Sequence, residues 1–253
     1  MAPVPGMPCW VNLMVGDIHV TRAFYAAVLG WTFEPSTLGN GFLTASADGR
    51  PVAGIGMSRP GLAPAPEWTP YFAVSDADAT TARVQERGAT VAVGPVPLGR
   101  GRACLAADRD GAAFGYWQGP APCWALGGDA LVRLDLRSPN AFDAAVFYGE
   151  VFGWSESGNI SVTYENDRIR VRHGEHSALC LRDGGAHAAP DPRLRSRWLV
   201  TFAVDDVERA MVTALSAGGS RPRPPAEPWT PQGFSRTLLD PDGALFTLVH
   251  RGP

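Results

Sequence analysis

Apolar strands and amphipathic stretches follow one another in the same order four times along the chain. Each copy has an apolar strand, an Asx residue typical of a helix N-cap, and a helix that ends at a glycine. The predicted strands are residues 10–15, 69–74, 132–136 and 200–204. The predicted caps are Asp17, Asp76, Asn140 and the pair Asp205 and Asp206, and the helix stops are Gly30, Gly88, Gly153 and Gly218. Short alternating runs with hairpin signals follow each helix, so the pattern predicts four βαβββ modules.

Three segments of the first half of the chain return in the same order in the second half. FYAAVLGW (24–31) is repeated as FYGEVFGW (147–154), YFAVSD (71–76) as TFAVDD (201–206), and DRDG (108–111) as DPDG (240–243). A repeat of this length indicates an internal duplication. We therefore expect two domains, residues 1–119 and 130–253, joined by a linker at residues 120–129.

Composition and charge narrow the classes of function. The 253 residues are 45% hydrophobic and 19% charged, which favours folded domains over disorder. The net charge is −3 without a long basic run, so nucleic acid and anionic membrane surfaces are poor partners. The sequence has no signal-peptide pattern and no apolar run near the ~20 residues of a membrane span. Its four cysteines form no C-x-x-C pair, and we expect reduced thiols in a cytoplasmic protein.

The repeated pattern of strand, capped helix, F-Y-x-x-V-[LF]-G-W and D-x-D-G resembles the vicinal-oxygen-chelate superfamily. This superfamily contains glyoxalase I, extradiol dioxygenases and bleomycin-resistance proteins. The resemblance covers nearly the whole chain. It implies an α+β fold in which four βαβββ modules form two tandem glyoxalase-like domains. Each domain would be a curved, mixed, eight-stranded sheet folded around a cleft.

Superfamily members that use a metal place its ligands on the first and last strands of each module. The matching first-strand positions here are Trp10, Thr69, Arg133 and Leu199, and the matching last-strand positions are Gly115 and Thr247. None of these residues supplies the imidazole, carboxylate or thiolate that Fe, Ni, Zn or Mn requires. The sequence therefore predicts no metal and no other cofactor at the usual site.

Alternation along the strands assigns one face of each sheet to the cleft. In the first domain this face is aromatic and soft, with one amide. Its members are Trp10, Asn12, Met14, Tyr71 and Trp117. Aromatic rings give a large contact area at low entropic cost, so the first domain is suited to a flat, apolar ligand.

The predicted cleft face of the second domain is charged. Arg133, Asp135 and Arg137 face the cleft, and the apolar residues between them face the core. One interpretation is a structural ladder of salt bridges. The other is a pair of guanidinium groups that binds an anionic or quinone oxygen, with Asp135 as a base. Thr201 and Thr247 lie on the same predicted face in the fourth module.

The remaining tryptophans divide into structural and candidate ligand-binding residues. Trp68 and Trp198 precede corresponding strands, and Trp31 and Trp154 close the repeated helix ends, so we predict that all four are structural. Trp229 lies in a proline-rich loop that is either an ordinary surface loop or a cover over a cleft.

Two metal-free functions remain open at this point, ahead of a third, a true glyoxalase or dioxygenase, which would need metal donors recruited from unusual positions. The first is a metal-independent binding protein for an aromatic natural product, with an accessory or self-resistance role in secondary metabolism. The second is a metal-free isomerase, cyclase or cofactor-free oxygenase, in which Asp135 is the base and Arg133 or Arg137 stabilises an oxyanion. In both cases the partner is a small aromatic or hydrophobic molecule, and the protein is a monomer or a homodimer.

Overall fold

The computed structural model describes residues 3–58, 66–120, 131–165, 168–184, 195–222 and 235–251. Within these residues the chain forms two mixed sheets and four α-helices, which confirms the α+β class and the four modules. Nearly all of the predicted linker at residues 120–129 lies outside the described residues.

The first and second modules form an eight-stranded sheet. The first module contains β1 (Pro8–Val15), α1 (Ile18–Leu29), β2 (Thr32–Pro35), β3 (Phe42–Ala47) and β4 (Arg50–Met57). The second contains β5 (Trp68–Ala73), α2 (Ala77–Glu86), β6 (Thr90–Leu98), β7 (Gly101–Ala107) and β8 (Ala113–Gln118). The strand order is β2-β3-β4-β1-β5-β8-β7-β6, with β1 parallel to β4 and β5 parallel to β8.

The third and fourth modules form the other sheet. The third contains β9 (Val132–Ser138), α3 (Ala141–Phe152), a short 3-10 turn (Trp154–Glu156), β10 (Ile160–Glu165), β11 (Arg168–His173) and β12 (His176–Asp183). The fourth contains β13 (Arg197–Val204), α4 (Val207–Ser216), β14 (Ser235–Leu239) and β15 (Leu245–His250). The strand order is β10-β11-β12-β9-β13-β15-β14.

This second sheet has seven strands in the described part of the chain, where the family pattern implies eight. After α4, Ser220 forms an isolated bridge to Leu239, and residues 223–234, which follow Pro222, lie outside the described part of the chain.

The helix boundaries follow the predicted capping residues. The side chain of Asp17, for example, accepts hydrogen bonds from the backbone N–H groups of His19 (2.8 Å) and Val20 (3.2 Å). Asp76 and Asn140 cap α2 and α3 in the same way, and the side chain of Asp206 accepts one hydrogen bond, from the backbone N–H of Arg209, at the start of α4. Capping at the predicted positions confirms where each module begins its helix.

The hydrophobic cores do not follow the two halves of the sequence. Contacts divide the chain into two compact units. The first is Met1–Trp10, Thr69–Gly128 and Leu134–Trp198, and the second is Val11–Trp68, Asp129–Arg133 and Leu199–Pro253. We call them the 2–3 unit and the 1–4 unit, because each combines one module from each half. Helix α2 packs against α3 in the former, and α1 packs against α4 in the latter.

A buried chain of hydrogen bonds, the Trp–Tyr–Asp chain, joins the second and third modules. The indole Nε1 of Trp198 donates to the hydroxyl of Tyr148 (3.1 Å), which donates to Oδ2 of Asp108 (2.9 Å). The other carboxylate oxygen, Oδ1, accepts from the backbone N–H groups of Asp110 (3.0 Å) and Ala112 (2.8 Å). The D-x-D-G turn of the first half is thereby fixed to the F-Y motif of the second half.

The 1–4 unit contains the equivalent chain. Trp68 Nε1 donates to the Tyr25 hydroxyl, which donates to Asp240 Oδ2, both at 3.0 Å. Trp68 and Tyr25 are at most 1% exposed and Asp240 is 2% exposed, so all three polar groups are buried. Such groups are tolerated in a core because each has a hydrogen-bonding partner. The predicted structural role of Trp68 and Trp198 is thus confirmed. Each indole N–H also donates a hydrogen bond to a tyrosine hydroxyl, which burial alone does not indicate.

Burial also changes the acid–base behaviour of the two chains. Loss of hydration raises the pKa of Asp108 to about 6, although the hydrogen bonds from Ala112 and Tyr148 act in the opposite direction. The same cause raises the pKa of Asp240, and it raises the pKa values of Tyr25 and Tyr148 well above the ordinary value.

The tyrosine hydroxyl is the central member of each chain, so its removal tests the contribution of the chain to stability. Tyr148→Phe leaves Trp198 Nε1 and Asp108 Oδ2 without this partner in the core. We expect the free energy of unfolding to fall by about 2–4 kcal/mol, since each unsatisfied buried group costs about 1–3 kcal/mol. Tyr164→Phe on β10, where the tyrosine is 69% exposed, is the matched control and should be neutral. Equal denaturation midpoints for all three proteins would contradict this role.

The raised pKa of Asp108 predicts how stability depends on pH. The folded carboxyl binds its proton near pH 6 and the unfolded one near 3.8, so protonation favours the folded state. This contribution is fully present below the unfolded pKa and is lost as the pH rises through about 6. We expect the unfolding free energy of the wild type, relative to Asp108→Asn, to fall by about 1–3 kcal/mol over this range. Urea denaturation across the range measures it, with Asp143→Asn as the exposed control; a difference independent of pH contradicts the assignment.

Candidate functional site

The helices occupy one face of each sheet, so ligand-binding side chains must lie on the other. Val11, Leu13 and Val15 of β1 are 0% exposed, and Leu134 and Leu136 of β9 are at most 2% exposed. In β9 the residues between them are exposed or half-buried, which confirms the predicted alternation there, whereas both faces of β1 are largely buried. The outward faces of the four modules differ from one another in chemistry.

The outward face of the second module is aromatic. Tyr71 on β5 is the register partner of Gly115 on β8. A Cβ atom at Gly115 would lie 2.3 Å from Cε1 of Tyr71, so the tyrosine ring occupies the space that a side chain at this position would need. Gly115 is the position that matches a metal-binding glutamate of the family. Here an aromatic ring replaces the carboxylate.

Trp117, two residues further on, is held in a similar way. Its ring covers Gly101 of β7, where an added Cβ would be 2.3 Å from Cζ2. The indole Nε1 donates to the carbonyl oxygen of Pro120 (3.1 Å), so the orientation of the ring is fixed. Burial raises the pKa of the partly exposed Tyr71 to about 12, and its phenol therefore remains a hydrogen-bond donor near neutral pH. This part of the second module offers the partly exposed ring and hydroxyl of Tyr71, next to the Trp117 ring, which is only 7% exposed.

The outward residues of the first module are more enclosed than the sequence suggests. Asn12 is 7% exposed, and its amide nitrogen lies 3.2 Å from the sulfur of Met14. Met14 and Phe42 both extend over Gly56, where an added Cβ would be 2.6 Å from the methionine sulfur. Trp10, which belongs to the 2–3 unit, is 8% exposed. The soft side chains of the first module therefore pack mainly on one another.

A row of threonines crosses the fourth module. Thr201 of β13 and Thr237 of β14 are both register partners of Thr247 on β15. The hydroxyl groups of Thr237 and Thr247 are 3.0 Å apart, and Thr247 is 2% exposed. This hydroxyl is thus committed to a hydrogen bond inside the fold.

The charged face predicted in the third module extends over more residues than the sequence indicates. Asp135 of β9 pairs in register with Cys180 of β12, and Arg137 pairs with Arg182. Arg182 Nε lies 3.4 Å from Asp135 Oδ1, and these side chains are 15% and 18% exposed. Arg133, on the same strand, is exposed. Asp135 is therefore engaged in a partly buried ion pair, whichever function the face has.

Strand β11 adds residues to this face that were not predicted from the sequence. Arg168 and Arg170 are the register partners of Arg182 and Cys180. Arg170 Nε donates to Glu165 Oε2 at 2.9 Å, and Arg172 Nη2 lies 3.8 Å from Glu165 Oε1. The R-x-R-x-R alternation at residues 168–172, next to the Gly174 turn, is the sequence signal that indicates this stripe.

The thiol in the middle of this face is not activated. Burial, and next Asp135, raise the pKa of Cys180, and Arg182, Arg168 and Arg170 only partly offset them. Only the thiolate form of a cysteine is a good nucleophile or metal ligand. The protonated Cys180 is therefore an uncharged side chain between charged neighbours.

The family's metal positions do not fit a divalent cation in this chain. Gly115 is covered by the Tyr71 ring, Thr247 offers a hydroxyl bonded to Thr237, and Arg133 carries a positive charge. Among the described residues, no group of three or more His, Cys, Asp or Glu side chains is arranged to hold a metal ion. Divalent metals need imidazole, carboxylate or thiolate donors, and the residues at these positions supply none of them. Trp229, the remaining candidate ligand contact, lies outside the described residues.

Comparison with known proteins identifies the family. Residues 9–116 match the Glyoxalase/Bleomycin resistance protein/Dioxygenase superfamily, and residues 132–249 match the glyoxalase-like domain. The chain belongs to this superfamily, as two tandem glyoxalase-like domains. It is 33% identical to the anthracycline biosynthesis protein DnrV of Streptomyces peucetius, over 97% of this chain and 93% of that protein. It is also 30% identical to CFP32 of Mycobacterium bovis, provisionally named a glyoxylase, over 98% and 96% of the two chains.

Solved structures support the same fold at lower sequence identity. The Mn(II)-bound glyoxalase from Novosphingobium aromaticivorans aligns with a TM-score of 0.58 and 18% identity, over 98% of this chain and 84% of that one. The 2,3-dioxygenase LapB from Pseudomonas sp. KL28 aligns with a TM-score of 0.60 and 14% identity, over 100% and 94%. At such identities the likeness establishes the fold alone. No helix in the described part of the chain is long and apolar enough to cross a membrane.

Proposed function

We propose that this chain is a metal-independent binding protein for a planar aromatic natural product, with an accessory or self-resistance role in secondary metabolism. The observation that carries the proposal is the aromatic face of the second module. There, the rings of Tyr71 and Trp117 are laid over Gly115 and Gly101, which have no side chains of their own.

Preoriented rings are effective for binding flat molecules, since little side-chain entropy is lost when a ligand stacks on them. Trp117 already has its indole N–H bonded to Pro120 and therefore contributes apolar surface only. The phenol of Tyr71 adds one donor that can bind a quinone or carbonyl oxygen. The combination favours a fused-ring compound with oxygen substituents at its edge.

Sequence similarity to biosynthetic proteins supports this ligand class. DnrV, and DauV of Streptomyces sp. strain C5, are named as anthracycline biosynthesis proteins, and this chain covers 93% of the length of each. Anthracyclines are planar, oxygenated, fused-ring polyketides. We extend the ligand class, and not a particular compound, to this protein, and we propose that it acts in the cytoplasm as a monomer or homodimer.

A second candidate function is a metal-free enzyme of the same pathways, which one observation favours. Asp135 is partly buried with Arg182 Nε at 3.4 Å, and Arg137 is the register partner of Arg182. In such an enzyme Asp135 would accept a proton from a carbon next to a carbonyl group. Arg133 or Arg137 would stabilise the enolate oxygen that forms.

Binding to the aromatic face is tested by quenching of tryptophan fluorescence with a hydroxylated anthraquinone. We expect saturable binding that Tyr71→Ala weakens at least about 10-fold, which corresponds to about 1.4 kcal/mol. Tyr164→Ala removes a tyrosine that is 69% exposed on β10 and should bind like the wild type. Absence of binding across a panel of fused-ring quinones would contradict the proposal. Equal affinity of Tyr71→Ala and Tyr164→Ala would contradict it as well.

The enzymatic alternative is tested by Asp135→Asn. If Asp135 is a base, this variant loses turnover of a quinone-type substrate by at least about 100-fold while its ligand affinity changes little. The readout is product formation by liquid chromatography, beside the fluorescence titration. Wild-type turnover in the variant rules out this mechanism, and absence of turnover in the wild type leaves the binding function.

A further inference from the structure

Strand β10 lies at one edge of the seven-stranded sheet in the described part of the chain. Its central residues, Ser161 to Tyr164, are all exposed. Proteins commonly protect such an edge with proline, a bulge or a short strand, because its N–H and C=O groups can pair with another chain. β10 has six residues, no proline and an unbroken register with β11. This edge can therefore accept another strand.

The other sheet edges in the described part of the chain are protected. β2 has four residues and ends at Pro35. β6 contains Pro95 and Pro97, and its register with β7 is interrupted by bulges. β14, at the opposite edge of the second sheet, is buried or half-buried along its length. Among these edges, β10 combines a regular ladder with full exposure.

The helix-side face of β10 is apolar although it is exposed. Tyr164 is the register partner of Ile169, and Val162 is the register partner of Val171. Ile169 and Val171 are at most 3% exposed, whereas Tyr164 is 69% exposed and Val162 is 47% exposed. Helix α3 packs against β11 and β12, so two rows of the core continue beyond the helix onto β10. Contiguous exposed apolar side chains of this kind mark interaction surfaces.

The backbone groups of β10 alternate between the two sides of the strand. The carbonyl oxygen of Asn159 accepts a hydrogen bond of 2.9 Å from the N–H of Gly174, so the backbone of Asn159 is directed toward β11. In an antiparallel ladder this direction alternates along the strand. Every second residue from Asn159 therefore pairs with β11, and the residues between them, which include Val162 and Tyr164, direct their N–H and C=O groups to the outer edge.

We propose that the protein forms a homodimer in which the β10 strands of two copies pair antiparallel about a two-fold axis at Val162. Val162 then exchanges both backbone hydrogen bonds with Val162 of the second copy. Tyr164 donates its N–H to the carbonyl oxygen of Ile160 of the second copy, and the reciprocal pair forms by symmetry. The N–H of Ile160 is already bonded to the carbonyl oxygen of Ser157, so only its carbonyl takes part.

The side chains of β10 complement themselves in this register, which favours a second copy over an unrelated partner. On the helix side, Val162 lies opposite Val162 and Tyr164 lies opposite Ile160, so apolar groups meet apolar groups across the axis. On the other face, hydroxyls meet hydroxyls at Ser161 and Thr163, and Asn159 lies opposite Glu165. No like charges are opposed within this strand pair, an arrangement that would otherwise destabilise it.

The small size of the interface sets its strength. One edge strand per copy supplies far fewer than the roughly 20–30 residues per side of a standard stable interface. We therefore expect reversible association, with a dissociation constant above about 10 µM. At the concentration of about 1 µM that suits a fluorescence titration the protein is then monomeric, so this pairing and ligand binding to the aromatic face are tested independently.

Sedimentation velocity over a range of about 5–500 µM tests the dimer. We expect the weight-average sedimentation coefficient to rise from that of a monomer toward that of a dimer. Val162→Pro removes an outward N–H that β11 does not use, and proline is tolerated at such an edge position. This variant should associate at least about 10-fold more weakly. A wild type that stays monomeric up to 500 µM, or equal association of Val162→Pro, would overturn the interface.

A charge exchange at the two-fold axis tests the register itself. Val162→Lys and Val162→Glu each place like charges opposite each other, so each variant alone should be monomeric over the same range. An equimolar mixture places lysine opposite glutamate and should recover association. The matched controls, Val212→Lys and Val212→Glu, alter a valine that is 59% exposed on α4, and each should associate like the wild type. Failure of the mixture to recover, or equal loss in the controls, would refute this register.

Folding of every variant is checked separately from association. Near-ultraviolet circular dichroism and the anthraquinone titration, both at dilutions where the protein is monomeric, should match the wild type. Recovery in the mixed sample also requires both variants to be folded, so a misfolded Val162→Pro does not decide the outcome. Loss of anthraquinone binding without loss of the dimer, or the reverse, distinguishes failure of the proposed function from failure of this inference.

Discussion

A hydrogen bond from a buried tyrosine to a buried aspartate connects the two halves of this sequence, and it occurs twice. Tyr148 binds Asp108, and Tyr25 binds Asp240, so each contact crosses from one half of the duplicated chain to the other. Each tyrosine also accepts from a tryptophan, which leaves no member of the chain without a partner in the core. The two compact units, each built from modules of different halves, depend on this arrangement.

Because the helix-side faces are occupied by core packing, variation between modules is concentrated on the opposite faces. Duplication gave four equivalent faces, and they now differ: Tyr71 and Trp117 line the second module, while Arg168 and Arg182 belong to the third. The glyoxalase and dioxygenase structures share the fold, but a fold does not determine the chemistry of a site. In this chain the family's metal positions on these faces carry no imidazole, carboxylate or thiolate, and the proposal of an organic ligand rests on the side chains that the faces carry instead.

The sequence predicts the modules well because their signals are local. Capping by Asp17 and the alternation of Leu134 with Asp135 each depend on a few neighbouring residues, and both are confirmed. The pairing of Tyr148 with Asp108 is not predictable in this way. The F-Y motif and the D-x-D-G motif each occur once in each half, and a tyrosine of one half could bind the aspartate of either half. Strand register is equally non-local, so the approach of Arg168 to Arg182 could not be predicted. The roles of the ligand-facing residues and the domain boundary remain predictions.

The dependence of each core on both halves is tested most directly by near-ultraviolet circular dichroism of two separate fragments, residues 1–119 and 130–253, with sedimentation to give their size. Each monomeric fragment should lack the aromatic signal and cooperative unfolding of the whole chain. An equimolar mixture should regain both, because Tyr25 and Tyr148 then meet their aspartates again. A fragment that folds only as a dimer would agree with this account, since it exchanges modules between copies. A fragment that is monomeric and fully folded on its own would contradict it.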